Sequence, residues 1–262
     1  MKLTGKRVLI TGASRGIGET LAGAFAEAGA TVALVARSKD ALEKVAGPLG
    51  GTAHAADLSD PAQVSGLIAR IEDEAGPVDV LVNNAGIGVT GGFTDAADDV
   101  LRTTTEVNYL APAELCRQVI PGMLRRGGGH IVNVSSLAGI GVYPGLVTYS
   151  ASKAALSHFT AGLRADYRGL PLGTTLVELG PVPTDMLASA DDYLPTAKSF
   201  ERFYRVRAST KVPREKVAAD IVRAVQEGRR HVRHPKRTGA AAMLAEAPRR
   251  FTELVLTGVP HR

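Results

Sequence analysis

The sequence predicts an α/β fold: a single domain on a doubly wound parallel sheet. Three observations carry this expectation. Residues 6–11 form a short apolar run, Gly12-Ala13-Ser14-Arg15-Gly16-Ile17-Gly18 is a glycine-rich turn, and a helical pattern follows to Gly29. Strand, glycine turn and helix are the first unit of a dinucleotide-binding fold. Beyond it, short apolar runs alternate with helical stretches to the end of the chain, with no internal repeat or low-complexity segment, the ordering that goes with a parallel sheet covered by helices. Finally, Tyr149 and Lys153 stand four residues apart in a helical stretch, which puts a phenol and an ammonium on one face, one turn apart.

Each element has a local reason. After the first strand and helix, residues 31–36 are a second apolar strand ending in Arg37-Ser38. A fold that binds NAD usually carries an acid near this point to hold the ribose 2′-hydroxyl. Here Ala36 and Arg37 stand instead, with Arg15 in the nearby glycine turn. Two guanidinium groups suit a 2′-phosphate, because Arg meets phosphate oxygens in bidentate geometry, so NADP is expected over NAD. The bland alternative is that Arg37 only solvates a strand end. Residues 40–48 read as a helix and 52–56 as a third strand, followed by Asp57 and Leu58. Asp57 is expected either on the ligand-binding edge of the sheet or as the cap of the next helix.

Residues 61–75 form one amphipathic helix and 78–82 a fourth strand, closed by Asn83-Asn84-Ala85-Gly86, whose amides either tie strand ends together or touch a cofactor. A long helical stretch over 95–126 is interrupted near Ala111-Pro112; Asn108 just before it is placed to bond freed backbone or hold a water. Residues 130–134 are a fifth strand followed by Ser135-Ser136, then comes the helix of Tyr149 and Lys153, and 173–179 are a sixth strand. Residues 185–209 lack a clean period and carry aromatic side chains, which suits a substrate lid as well as an ordinary packed loop and helix. A helix over 212–226, a last strand over 230–232 and a terminal helix over 238–256 complete the chain.

Composition narrows the function classes. The 262 residues are 45% hydrophobic, enough for one sizeable core. One cysteine, Cys116, excludes an internal disulfide and fits a reducing compartment. The start runs directly into a strand pattern without the apolar core of a signal peptide, and no run approaches a spanning helix. A cytoplasmic location follows as the expectation. Net charge is +5, unevenly spread: residues 198–262 hold 16 Lys/Arg against 6 Asp/Glu. The basic segment over 229–262 is therefore a candidate for peripheral membrane contact; nothing in the pattern points to nucleic acid. The six histidines form no metal-ligand pattern; in an extended strand His231 and His234 face opposite ways. Ser135 and Ser136 lack the Gly-x-Ser-x-Gly setting of a hydrolase nucleophile. An ammonium beside the Tyr149 phenol is expected to lower its pKa from about 10 toward the range of a general acid or base.

With these residues in place, the chain resembles the short-chain dehydrogenase/reductase family in its compact single-domain form. The resemblance runs from about Lys6 to Ala188. It rests on Thr11-Gly12-x-x-x-Gly16-x-Gly18, Asn83-Asn84-Ala85-Gly86, Asn108, Ser136, Tyr149-x-x-x-Lys153 and Gly180-x-Val182-x-Thr184, in that order. It implies a seven-stranded Rossmann-type sheet and assigns roles. Tyr149 would be the acid or base, Lys153 would lower its pKa and hold the nicotinamide ribose, Ser136 would bond the substrate oxygen, and Asn108 would position a relay water. Gly12, Ser14, Arg15, Gly16, Ile17, Gly18, Arg37, Asp57, Leu58, Asn84 and Val182 would line the cofactor, with Tyr149, Lys153 and, at the nicotinamide end, Thr184. Two departures stand out: Leu179-Gly180-Pro181 displaces the family's usual Pro-Gly, and Glu178 puts a carboxylate beside it.

The reading is thus an NADP-dependent oxidoreductase moving a hydride between nicotinamide and a carbonyl or secondary alcohol of a small, lipophilic substrate. The family's habit also implies a homodimer or homotetramer through the helices around 98–126 and 149–168. The competing readings are an NAD-dependent epimerase or dehydratase and a catalytically silent cofactor-binding scaffold.

Overall fold

The computed structural model describes residues 1–183, 192–205 and 210–236, with Leu244, Ala247 and Pro248 beyond them. Seven strands form one parallel sheet: β1 (Arg7–Thr11), β2 (Thr31–Ala36), β3 (Thr52–Ala55), β4 (Val80–Asn83), β5 (Gly129–Ser136), β6 (Leu172–Leu179) and β7 (His231–His234). Their order is β3-β2-β1-β4-β5-β6-β7. The direction of winding reverses between β1 and β4, so a crevice opens above the carboxyl ends of those two strands.

Both faces of the sheet are covered, and β1, β2, β4 and β5 feed two apolar cores alternately. On β4, Val80 and Val82 join the core under α1 (Gly16–Glu27) and α9 (Arg214–Glu227) through Leu21, Phe25, Val217 and Ile221. Leu81 faces the other way, toward Ile71 of α4 (Leu67–Ala75) and Leu115 and Ile120 of α6 (Ala111–Arg125). Around them lie α2 (Lys39–Ala46), α3 (Pro61–Val64), α5 (Val100–Thr105), α7 (Val147–Asp166) and α8 (Leu194–Arg205).

Two helical expectations need correction, over 61–75 and over 95–126. The helix over 61–75 is two helices: Ser65 is extended at ψ 123° and Gly66 takes φ +67°, a turn that glycine makes without strain. Asp57 does not cap it; Asp60 does, accepting from Ala62 N at 2.9 Å. The stretch over 95–126 starts at Val100 and its interruption is a π-helical turn, Glu106–Leu110, running into α6, whose second residue is Pro112. Pro112 has no N–H to continue the ladder, and such turns are frequent at functional sites. The segment over 185–209 contains the regular helix α8, as its packed loop-and-helix alternative allows, with Leu194 and Phe203 exposed on it. Thr184, residues 185–191 and 206–209, and most of the terminal helix expected over 238–256 lie outside the described residues. The last strand expected over 230–232 is β7, at the start of the basic segment over 229–262. Among the described residues, no helix is long and apolar enough to cross a membrane.

Candidate active site

The site is built on the carboxyl ends of β1, β4, β5 and β6 and on the first turns of α7. At the β1 end the glycine turn closes onto α1. A Cβ on Gly18 would stand 2.2 Å from the Gly12 carbonyl oxygen, so only glycine allows this approach. Arg15 precedes α1 in extended conformation without capping it through its side chain, which leaves the helix N-terminus facing the crevice. Ala13 N donates to Val35 O at 3.3 Å, drawing the turn toward the end of β2, where Arg37 is exposed. Asp57, at the end of β3, lies below the usual carboxylate range because Ser59 donates to it from backbone and hydroxyl, with a smaller contribution from Arg37. Asn84 answers the question left open by its motif: its amide donates to Thr11 O at 3.0 Å and Gly12 O at 3.2 Å, tying β4 to β1 across the crevice. Ser14, Gly16 and Ile17 are partly exposed on the turn, whereas Leu58 and Val182 send their side chains into the cores. An open helix N-terminus beside a close glycine turn fits a dinucleotide pyrophosphate.

The catalytic candidates meet beyond that crevice. Ser135 and Ser136 split in function at the end of β5. Ser135 is buried and bonds Lys153 O at 2.9 Å and Ser157 Oγ at 2.8 Å, fastening β5 to α7. Ser136 stays partly exposed, donates to Leu179 O at 3.2 Å and accepts from Ala138 N at 3.1 Å. Lys153 is 4% exposed and gives its ammonium to Val134 O at 3.0 Å, with Nζ 5.9 Å from the Tyr149 ring centre. Burial pulls the lysine down to about 8. Burial also raises the Tyr149 phenol, opposed by hydrogen bonding from Ser136. The expected lowering of the phenol by the ammonium is therefore corrected: desolvation of the phenolate outweighs it here, and the ammonium is engaged by a backbone carbonyl.

Asn108 is fully buried in the π-helical turn. Its Oδ1 accepts from Ile87 N at 2.9 Å, and its amide donates to Ile87 O at 2.9 Å and Ser152 Oγ at 3.0 Å. Ser152 donates in turn to Tyr149 O at 2.7 Å. Sequence reasoning missed Ser152; its signal is a serine three residues after Tyr149 on a helix, placed to bond a carbonyl one turn back. It also missed Asn133, which accepts from Asn83 at 2.8 Å and donates to Thr160 at 2.8 Å, locking β4, β5 and α7 together. Gly86 fills the gap between the two polar candidates: a Cβ there would lie 3.2 Å from Lys153 Nζ and 3.3 Å from Asn108 Oδ1.

Over this floor lies α8. Tyr143, in the loop before α7, lies tilted against Phe203 and Phe200 at 5.2 and 5.8 Å between ring centres, and Phe200 stacks on Tyr204 at 6.5 Å. Thr196 donates to Pro144 O at 2.7 Å and Gly91 N to Gly145 O at 3.1 Å, so lid helix, α7 loop and β4 loop meet at one point. Among the described residues no group of three His, Cys, Asp or Glu could hold a metal.

A family model described as short chain dehydrogenase matches residues 6–194. The ketoacyl reductase HetN of a Nostoc species is 41% identical over 180 residues, covering 67% of this chain and 63% of that protein. Among solved structures, a short chain dehydrogenase/reductase from Burkholderia phymatum in complex with NAD superposes with a TM-score of 0.81 at 26% identity, covering 96% of each chain. L-sorbose reductase from Gluconobacter frateurii, complexed with NADPH and L-sorbose, gives 0.77 at 27% identity, covering 89% of this chain and 97% of that one.

Proposed function

This chain belongs to the short chain dehydrogenase family of oxidoreductases, and from that premise we propose that it reduces a carbonyl, or oxidises the matching secondary alcohol, with NADP. The observation that carries the reading is the meeting of Ser136, Tyr149 and Lys153 at the carboxyl edge of the sheet, beside a turn that fits a dinucleotide. When bound, the nicotinamide supplies or takes up the hydride. The residues do the rest. Tyr149, raised by burial, keeps its proton at neutral pH and gives it to the substrate oxygen as negative charge builds there. The Ser136 hydroxyl, held by Leu179 O and Ala138 N, turns from Leu179 O to donate to the same oxygen. Lys153, anchored on Val134 O, presents its remaining donors to the ribose side, and Asn108 holds the loop at Ile87 in place. Arg15 and Arg37 favour the 2′-phosphate, and the aromatic wall of Tyr143, Phe200 and Phe203 favours a lipophilic substrate, in line with the ketoacyl name of one relative.

Nothing in the site favours the epimerase, dehydratase or scaffold readings. The test is NADPH consumption with a panel of 3-ketoacyl thioesters and aryl ketones, in wild type and Tyr149→Phe. Turnover that falls by about 100-fold or more in the variant, with NADPH binding retained, is the expected result. A Phe variant that turns over at the wild-type rate would remove Tyr149 from the reaction. Self-association through α5 to α7 and membrane contact through the basic segment over 229–262 are further proposals; sedimentation of the full chain and vesicle flotation of a chain ending at Lys236, which keeps β7, test them, and a monomer or unchanged flotation would reject each.

A further inference from the structure

Glu178 is a carboxylate that the reaction above does not use. It is 2% exposed on β6. The strand register sets it between Ser135 of β5 and Arg233 of β7. Registered residues of parallel strands share a face, and Ser135 bonds to α7, so Glu178 and Arg233 lie on the α7 side of the sheet. Arg233 Nε donates to Glu178 Oε2, and the arginine side chain is itself only 10% exposed. His231 Nδ1 lies 3.3 Å from Arg233 Nη2 and 3.9 Å from Glu178 Oε2. Burial works against the charged carboxylate, yet His231 and Arg233 hold it below its ordinary range.

A buried ion pair is a poor device for stability alone, since apolar residues of the same volume commonly do as well or better. What distinguishes this one is its place in the chain. One residue on, the Leu179 carbonyl receives the Ser136 hydroxyl at 3.2 Å. Two residues on, Gly180 N donates to His234 O at 2.7 Å. Four residues on is Val182 at the cofactor edge. The pair sits immediately before the segment that must hold still for Ser136 to be aimed.

We propose that Glu178 is a positioning residue: its ion pair with Arg233 locks the carboxyl end of β6 to β7 and so fixes the Leu179 carbonyl and the segment 180–182 against Ser136. The catalytic part of this inference rests on the function proposed above; the structural part does not. Two variants separate position from stability. Glu178→Gln keeps volume and hydrogen bonding but removes the charge. Glu178→Leu with Arg233→Met replaces the pair by apolar groups. Melting temperature, hydrogen exchange of peptides spanning 176–182, and kcat and KM for NADPH-driven ketone reduction are read in each.

The expected result is a double variant that melts near wild type, exchanges about 10-fold faster at 176–182 but not in β1 or β4, and loses about 10-fold in kcat with KM for NADPH changed far less. Wild-type exchange and wild-type kcat in the double variant would overturn the proposal. So would uniformly faster exchange in every strand of Glu178→Gln, which would make the pair a plain stability element. If the double variant does not fold, Glu178→Gln carries both readouts. If the wild-type protein reduces no ketone, the proposed function fails while the exchange measurement still decides whether the pair fixes this segment.

Discussion

Replacing Lys153 by methionine should abolish turnover while leaving the protein as stable or more stable at neutral pH, and less stable in alkali. The lysine is 4% exposed and burial depresses it from 10.5 to about 8. At 1.36 kcal/mol per pKa unit, holding the ammonium inside costs on the order of 3 kcal/mol. Because the folded value lies below the unfolded one, the unfolded chain binds more protons between about pH 8 and 10.5, so stability rises with pH across that window. The penalty is fully present below about 8 and gone above 10.5. Methionine removes it but leaves Val134 O without its donor at 3.0 Å, a loss of about 1–3 kcal/mol. The variant should therefore be as stable or up to about 2 kcal/mol more stable at pH 7, and less stable by about 1–3 kcal/mol at pH 11. Tyr149 is present in both proteins, so its own titration largely cancels in the difference. Urea denaturation of both proteins at the two pH values is the assay. A wild type that is the more stable at pH 7, or a difference that stays constant between the two pH values, would refute the burial argument.

Three more outcomes follow from the geometry. Arg37→Ala should raise the KM for NADPH about 10- to 100-fold, the worth of a charge-assisted bidentate contact, with little change for NADH; steady-state kinetics with both cofactors reads this, and equal effects on both would remove Arg37 from 2′-phosphate recognition. Gly86→Ala puts a methyl 3.2 Å from Lys153 Nζ and 3.3 Å from Asn108 Oδ1, so kcat should fall at least 10-fold with a modest change in melting temperature; a fully active variant would show that the gap has room to spare. Since burial raises the Tyr149 phenol, reduction should hold its rate through neutral pH and decline only in alkali, whereas alcohol oxidation, which needs the phenolate, should climb with pH; parallel pH profiles in the two directions would contradict the assignment of Tyr149 as the proton donor.

The fold was legible wherever composition carries geometry. Gly12 to Gly18 could be recognised because a close turn onto a helix admits few other residues, and β4 because both of its faces are apolar. What escaped were features set by single backbone angles or by distant partners. Gly66 breaks a helix whose amphipathic pattern runs straight through it. The π-helical turn at Glu106–Leu110 adds one residue to a turn, too little to disturb a period read over several turns. In the site, the identities of Ser136, Tyr149 and Lys153 were visible, but not the balance of charge among them, because burial depth is not written in local sequence. The pairing of Glu178 with Arg233, 55 residues apart, needs the strand register, and nothing local announces it.

Asn108 shows why the polar partners matter as much as the polar residues. A buried amide left without partners would cost about 1–3 kcal/mol for each unmet group, and this one is met mainly by backbone: both polar groups of Ile87 face it, and Ser152 passes the chain of bonds to Tyr149 O. The π-helical turn supplies the position, since one added residue rotates Asn108 relative to the helix before it. Its Oδ1 accepts one bond from Ile87 N and has a second lone pair, and both Oδ1 and Lys153 Nζ lie within 3.3 Å of where a Gly86 Cβ would stand. A water held by those two groups would be the relay water that the family resemblance implies. Its larger contribution is to fasten the loop after β4 to the helix of Tyr149. Asn108→Asp should separate the two parts, because it keeps the acceptor for Ile87 N and discards the donors to Ile87 O and Ser152. If fastening dominates, the variant loses melting temperature and kcat together, and the loop after β4 exchanges its amides faster; if kcat alone falls, the water relay is the greater part.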